Sequence, residues 1–293
     1  MAELRIAIAG DLHGAWDDDD EALLEQLRPD ALLVVGDLGD GQVLPTSRLC
    51  RLNLPMACIL GNHDSGRDAS GRTLRRQLDL LGARHCGWGL RLLVPPGLAV
   101  VGARPVSAGG GFHLNQAARS IYGPVTLEES ARRIVNAASQ APAELPLVVL
   151  AHCGPSGLGS EPGDPCGRDW KAPACDWGDQ DLAIAIQQIQ RQRSLPLVVF
   201  GHMHHALRRG QGERRSIQQD RHGTVYLNAA CVPRHGIDGQ GRHLRHFSWV
   251  ELDGDHLTLA SHRWYDREGH LLYEQTLFRQ PLSQPGLSAS GTC

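Results

Sequence analysis

The stretch Leu4–His13 reads LRIAIAGDLH: a short, mostly apolar run, a glycine, and then Asp11 and His13. A short apolar run bounded by a turn residue predicts a buried strand, and the polar pair just past its end predicts a ligand-bearing loop. The same arrangement recurs along the chain. Ala31–Val35 leads into Gly36-Asp37-Leu38-Gly39-Asp40, and Ala57–Leu60 into Gly61-Asn62-His63-Asp64. Leu147–Ala151 is followed by His152, and Leu197–Phe200 by Gly201-His202-Met203-His204. Five strands thus each deliver Asp, Asn or His at the C-terminal end, the edge where open α/β sheets bind ligands. Glycine precedes four of the five clusters, as suits a backbone that turns sharply to bring side chains together.

Two further strand-like runs, Leu98–Gly102 and Val225–Leu227, continue the pattern. Helical stretches are predicted over roughly 18–28, 68–81, 126–139 and 179–193; the last stops before Pro196. After residue 243 the texture changes to period-two strands, His246–Leu252, Leu257–Trp264 and Leu271–Phe278, joined by Asp-Gly and Glu-Gly turns. These elements predict an α/β sandwich whose last strands form an antiparallel addition, all within a single domain over 1–280. The tail over 281–293, rich in Ser, Pro and Gly, is expected to be disordered.

Composition excludes several classes. The 293 residues carry 29 basic and 32 acidic side chains, a net charge of −3, so nothing global favours long nucleic acid or an anionic membrane surface. Apolar runs fall far short of the roughly 20 residues needed to span a bilayer, and no signal-peptide pattern opens the chain. The 8 cysteines form no CxxC pair, which predicts free thiols and a cytoplasmic or plastid-like reducing compartment. Histidine is in surplus: 15 residues, against 4 Phe, 4 Tyr and 6 Trp. It is a common metal ligand.

Seven strand-end groups are candidate metal ligands: Asp11, His13, Asp37, Asn62, His152, His202 and His204. Carboxylate, amide oxygen and imidazole suit Mn, Fe or Zn. Seven groups are too many for one ion and suit two that share a bridge. Two divalent ions bring four positive charges and the two carboxylates remove two. The remainder attracts a hydroxide and an anionic phosphate.

In order, DxH, GD, GNHD, H and GHxH resemble the calcineurin-like metallophosphoesterase family over roughly residues 4–265. The resemblance implies an αββα sandwich of two mixed β-sheets flanked by helices, with a dinuclear metal site at the strand C-terminal ends. It implies that Asp11, His13, Asp37 and His204 hold one divalent ion, and that Asp37 bridges to a second held with Asn62, His152 and His202. His63 matches the family histidine that contacts phosphate and protonates the leaving group, with Asp64 placed to orient it. The implied activity is hydrolysis of a phosphomonoester or phosphodiester of a small molecule by in-line attack of a metal-bridging hydroxide. The second block lacks the Asp-Arg-Gly of protein Ser/Thr phosphatases, which argues against a protein substrate. The segment Asn228–Arg234 stands where the family often has an Asn-Pro-Gly-like turn. The chain is also similar to a branch of the family found in cyanobacteria and plastids.

Three arginines are candidate substrate contacts. Arg104 precedes the Gly-rich run Gly109-Gly110-Gly111, Arg168 lies in the loop over 153–178 that follows His152, and Arg234 closes the 228–234 segment. A long loop beside a ligand is expected to shape the pocket, and its Trp170 and Trp177 favour packing over disorder. Other polar clusters read as ordinary structure. Asp17–Asp20 with Glu21 make an acidic first helical turn. Cys153, Cys166 and Cys175 lack zinc spacing. The Arg-rich piece over 208–221 reads as a solvated hairpin, and His235, His243 and His246 as isolated solvated histidines. A small phosphorylated substrate is the expected partner. The alternatives are a nucleotide phosphodiesterase or nuclease, and a non-catalytic interaction module on the same fold.

Overall fold

Side-chain alternation along the first strands divides their residues between two cores. The computed structural model describes residues 3–210 and 212–280; the tail expected over 281–293 lies outside them. In chain order the elements are β1 (Leu4–Ala9), α1 (Asp18–Leu27), β2 (Ala31–Val34), α2 (Leu44–Leu49), β3 (Met56–Cys58), α3 (Arg72–Leu81), β4 (Leu90–Leu93) and β5 (Leu98–Gly102). They continue with α4 (Gln116–Tyr122), α5 (Leu127–Ser139), β6 (Leu147–Cys153), α6 (Gln180–Gln190), β7 (Leu197–Gly201), β8 (Ile217–Gln219) and β9 (Val225–Asn228). The last four are β10 (His235–Ile237), β11 (His243–Asp253), β12 (His256–Tyr265) and β13 (Leu271–Arg279).

Two mixed sheets result. One has the order β13-β12-β11-β1-β2-β3, with β10 beside β11; the other runs β4-β5-β6-β7-β9-β8. The strands that precede the polar blocks are parallel within their sheets: β1, β2 and β3 in one, β5, β6, β7 and β9 in the other. Ile6, Ile8, Leu33, Val35 and Ile59 turn inward to meet Val100, Val149 and Val199 between the sheets. Ala7, Ala9, Leu32, Val34 and Leu60 turn outward to meet Leu23 and Leu24 of α1, Leu49 of α2 and Leu74 of α3. Ile134 of α5 and Leu182 and Ile186 of α6 join the core of the second sheet. Helices therefore cover both sheets, and the C-terminal ends of their parallel strands meet along one edge.

Local chemistry sets the helix ends. The acidic run over 17–21 opens α1 as expected: Asp17 accepts from the Asp20 amide, and the Asp20 carboxylate accepts from the Asp17 amide in return. Thr126 caps α5 through the Glu129 amide. Among the described residues the cysteines are free, and no helix is long and apolar enough to cross a membrane.

Two expectations about polar residues need correction. His246 is not solvated: β11 is buried on both faces, and His246 packs between the rings of His262 and Trp264, with centroids 5.2 and 5.1 Å away. The Arg-rich piece over 208–221 is not wholly solvated either. Arg214 is buried and donates to the carbonyls of Pro162, Asp164 and Gly167 at 2.6–2.8 Å.

Burial, reinforced by His205, pushes the His262 imidazole down to about 3, and burial with His262 nearby holds His246 well below the usual range. Both rings fold as neutral groups, while in the unfolded chain they take up protons below about pH 6.5. Their contribution is complete above that pH and is lost as pH falls towards 3, by about 1.4 kcal/mol per pH unit for each histidine. Urea unfolding between pH 7.5 and 4 should show this slope, and His262→Asn should make it shallower by one proton. An unchanged slope would contradict the linkage.

Candidate metal and phosphoester site

The backbone past each strand is bent to bring the polar blocks together. Asp11, His13, Asp37, Asp40 and His202 all adopt positive φ, between 37 and 66°. Such conformations cost about 1–3 kcal/mol each for a residue with a side chain, and they cluster at functional sites. Cross-loop amides hold them: the His13 N–H donates to the Asp37 carbonyl at 2.7 Å, and the Gly14 N–H to that of Leu38 at 2.9 Å.

The carboxylates are fixed in the same way. Asp37 Oδ1 accepts the His63 amide at 2.9 Å, and Asp11 Oδ2 accepts the His202 amide, also at 2.9 Å. Asp37 Oδ2 is left facing both His13 Nε2 at 3.9 Å and His152 Nε2 at 3.5 Å. His13 Nε2 lies 3.3 Å from His204 Nε2, which lies 3.4 Å from Asp11 Oδ2. His152 Nε2 lies 2.9 Å from Asn62 Oδ1, and the ring centroids of His152 and His202 are 5.2 Å apart.

Hydrogen-bond roles define what this arrangement accepts. His13 Nδ1 meets the Asp40 carboxylate at 2.9 Å, and His152 Nδ1 meets the Val35 carbonyl at 2.7 Å. Both partners only accept, so each Nδ1 carries the proton, and in the neutral ring Nε2 presents a lone pair to the site. Lone pairs of His13, Asp11 and Asp37 therefore converge, and a single proton on His204 cannot satisfy all three. Cations do. Glycine provides the room. A Cβ on Gly61 would lie 2.2 Å from Asp37 Oδ1, one on Gly201 2.1 Å from Asp11 Oδ1, and one on Gly36 2.9 Å from His152 Nδ1.

The local field agrees. Burial opposes ionisation of Asp37, but the His152 ring and the His63 amide outweigh it and hold the carboxyl well below the usual carboxylate range. Burial disfavours charge on His152, yet Asp37 and Asp11 raise its ring to about 10. A field that favours a positive charge this strongly favours a divalent ion. Burial, the larger cause, pushes His202 down to about 4.

All seven sequence-derived ligand candidates lie at this edge. His63 stands beside them, more than half exposed, with its ring centroid 5.3 Å from that of His13. Asp64 does not orient it. The Asp64 side chain is fully buried and accepts the Leu38 and Gly61 amides, both at 2.7 Å, tying the second block to the third. Burial and the Asp37 charge raise its carboxyl to about 7. The carboxylate next to His63 is Asp40, whose Oδ1 lies 3.5 Å from His63 Nδ1. Its signal in the sequence was its place three residues after Asp37 in the same turn.

The three arginine candidates do not present free guanidinium groups to the site. Arg104 is buried and paired with Asp179 and Asp181 of the α6 N-terminus, and it also donates to the His113 carbonyl. Arg234 is buried against Asp20, the Ala15 and His246 carbonyls and the Phe247 ring. Arg168 donates to the Pro173 carbonyl at 2.6 Å and lies over the Trp177 ring. The 153–178 loop does reach the site. A cavity of about 200 Å³ joins His63, His202 and His204 to Trp170, Trp177 and Arg208. Asn228 fixes the floor of the fifth block, donating to the Met203 carbonyl at 2.7 Å and accepting the Ala230 amide.

With this geometry established, the chain belongs to the calcineurin-like phosphoesterase family, whose model matches residues 4–206. It is a metal-dependent phosphoric ester hydrolase of a family that uses dinuclear divalent centres. None of the curated proteins compared with it is similar in sequence. Solved structures share the fold. A dimetal phosphatase from Danio rerio is 12% identical with a TM-score of 0.53, covering 94% of this chain and 99% of its own. The protein TT1561 of Thermus thermophilus is 12% identical at 0.51, covering 94% and 100%. A purple acid phosphatase from yellow lupin seeds is 11% identical at 0.50, covering 95% and 54%.

Two substitutions test the arrangement. Gly61→Ala should reduce the metal retained after purification to less than half, read by atomic emission, with an unchanged circular dichroism spectrum. Full metal content would mean that Asp37 is not held by the space around Gly61. Arg104→Ala should leave KM for phosphoesters unchanged and lower unfolding stability by about 3–5 kcal/mol, because two buried carboxylates lose their partner. A raised KM with unchanged stability would return Arg104 to the substrate.

Proposed function

We propose that the chain hydrolyses a phosphomonoester or phosphodiester of a small molecule at the edge where its two sheets meet. The observation that carries this reading is the cluster of Asp11, His13 and His204, joined through His13 to the open oxygen of Asp37, which also faces His152. In this reading Asp11, His13, Asp37 and His204 hold one divalent ion, and Asp37, Asn62, His152 and His202 hold a second. When bound, such a pair lowers the pKa of water and offsets the charge of the phosphate oxygens.

The chain's own groups do the rest. Asp37 keeps the two halves of the site in register, because its other oxygen is locked by the His63 amide. That amide also fixes the start of the turn that carries the His63 ring. An exposed imidazole beside the cluster is placed to meet a phosphate oxygen and to give a proton to the departing alkoxide. Asp40 positions this ring, lying within 3.5 Å of His63 Nδ1 while accepting from His13 Nδ1. One carboxylate thereby couples a ligand's tautomer to the acid's orientation. The peptide chemistry of the second block, GDLGDG, and the net charge of −3 support a small substrate over a protein or a long nucleic acid.

His63→Gln should lower kcat by about 10²–10⁴-fold, the usual contribution of a positioned general acid, with two equivalents of metal still bound. Asp37→Ala should abolish turnover and lose metal. Normal turnover in Asp37→Ala, or loss of both metals in His63→Gln, would overturn these assignments. The measurements are steady-state rates on a panel of phosphomonoesters and phosphodiesters, beside metal analysis.

A further inference from the structure

The cavity that opens from His63, His202 and His204 is walled on its far side by two of the chain's six tryptophans. Trp170 and Trp177 meet edge to face, with centroids 5.2 Å apart and planes at 80°. Three separate segments hold this wall. The Trp177 indole N–H donates to the Ala108 carbonyl at 2.9 Å, and the Gly110 amide donates back to the Trp177 carbonyl at 2.7 Å. Gly109 and Gly110 have positive φ, and a Cβ on either would come within 2.7 Å of the Trp177 ring. The glycine-rich run therefore follows the shape of an indole instead of a phosphate.

On the other flank, Asp169 is buried, accepts the Arg208 amide and pairs with Arg214 at 3.2 Å. Arg214 in turn gathers three carbonyls of the loop that carries Trp170. Trp170 therefore follows directly on an anchored residue, Asp169, while its own side chain stays partly exposed. The Arg208 guanidinium lies 5.9 Å from the centre of its ring. A partly exposed, rigidly held aromatic wall with a cation at its rim is a stacking surface.

We infer that this wall makes the enzyme selective for phosphoesters whose alcohol carries a planar aromatic ring, with Trp170, backed by Trp177, receiving the ring while the phosphate lies at the histidine end. Nucleoside phosphates and simple aryl phosphates share this chemistry. The inference rests on the phosphoesterase reading above.

The test compares kcat/KM of metal-loaded wild type, Trp170→Ala and Trp170→Phe on adenosine monophosphate, phenyl phosphate and glycerol phosphate. Each substrate is scored as the ratio of variant to wild type, which cancels leaving-group reactivity. For Trp170→Ala, the ratio for the aromatic substrates should fall about ten-fold or more below that for glycerol phosphate, the usual range for a lost stacking partner. Trp170→Phe should restore most of it, with the effect mainly in KM. If only adenosine monophosphate responds, the ring received is a nucleobase; if both aromatic substrates respond, any planar ring suffices. Equal ratios for all three substrates, in a variant that unfolds at the wild-type temperature, would overturn the inference and leave the phosphoesterase reading intact. A wild type inactive on every phosphoester would overturn both.

Discussion

One carboxylate organises the molecule's working edge. Asp37 has one oxygen locked by the His63 amide and the other open between His13 and His152. For that oxygen to stand there, its own residue takes a left-handed backbone, Gly36 and Gly61 leave out their side chains, and buried Asp64 clamps the Leu38 and Gly61 amides. Together these features confine the Asp37 carboxylate and the His152 ring beside it. Held in this way, a carboxylate needs no reorganisation to share itself between two cations, which is the preorganisation that electrostatic catalysis requires.

The rigidity is provided by structure further out. Five residues in strained backbone are tolerable because the strands before them are deeply buried and are parallel neighbours within their sheets, β1, β2 and β3 in one and β6, β7 and β9 in the other. A second set of buried ion pairs fixes the substrate side. Arg104 ties the end of β5 to the α6 N-terminus through Asp179 and Asp181, while Arg214 and Asp169 draw the 153–178 loop against the segment after β7. These pairs are positional devices: a buried ion pair adds little net stability, but its geometry is demanding. The loop is long, yet it is held in place because Arg214 and the Ala108–Gly110 run, both outside it, engage its Asp169 and Trp177.

What could be read in advance follows from how local the physics is. The five polar blocks were legible because each follows or closes a short apolar strand, four of them just after a glycine, so local burial and a single turn determine where most of these side chains emerge. Helices of ten or more residues, α1, α3, α5 and α6, were legible from their own length of helical pattern. The short elements α2, α4, β4, β8 and β10 were not. α2 and α4 are six and seven residues long, and the strands are three or four residues long at sheet edges or off the main path. Arg104, Arg234 and His246 were misplaced because burial is decided by distant partners: Arg104 meets Asp179 and Asp181, and Arg234 meets Asp20. No local pattern marks an arginine as neutralised. Asp64 misled through adjacency, since its side chain turns inward to the Leu38 and Gly61 amides while that of His63 is exposed to solvent.

The central claim is that Asp37 is shared between two cations. Crystals of the manganese-loaded protein, with anomalous diffraction recorded at the manganese edge, test it most directly. Two peaks about 3.5–4 Å apart are expected, flanking the Asp37 carboxylate, one next to His13 and His204 and the other next to His152 and His202. A single peak, or two peaks that leave Asp37 bound to only one of them, would contradict it.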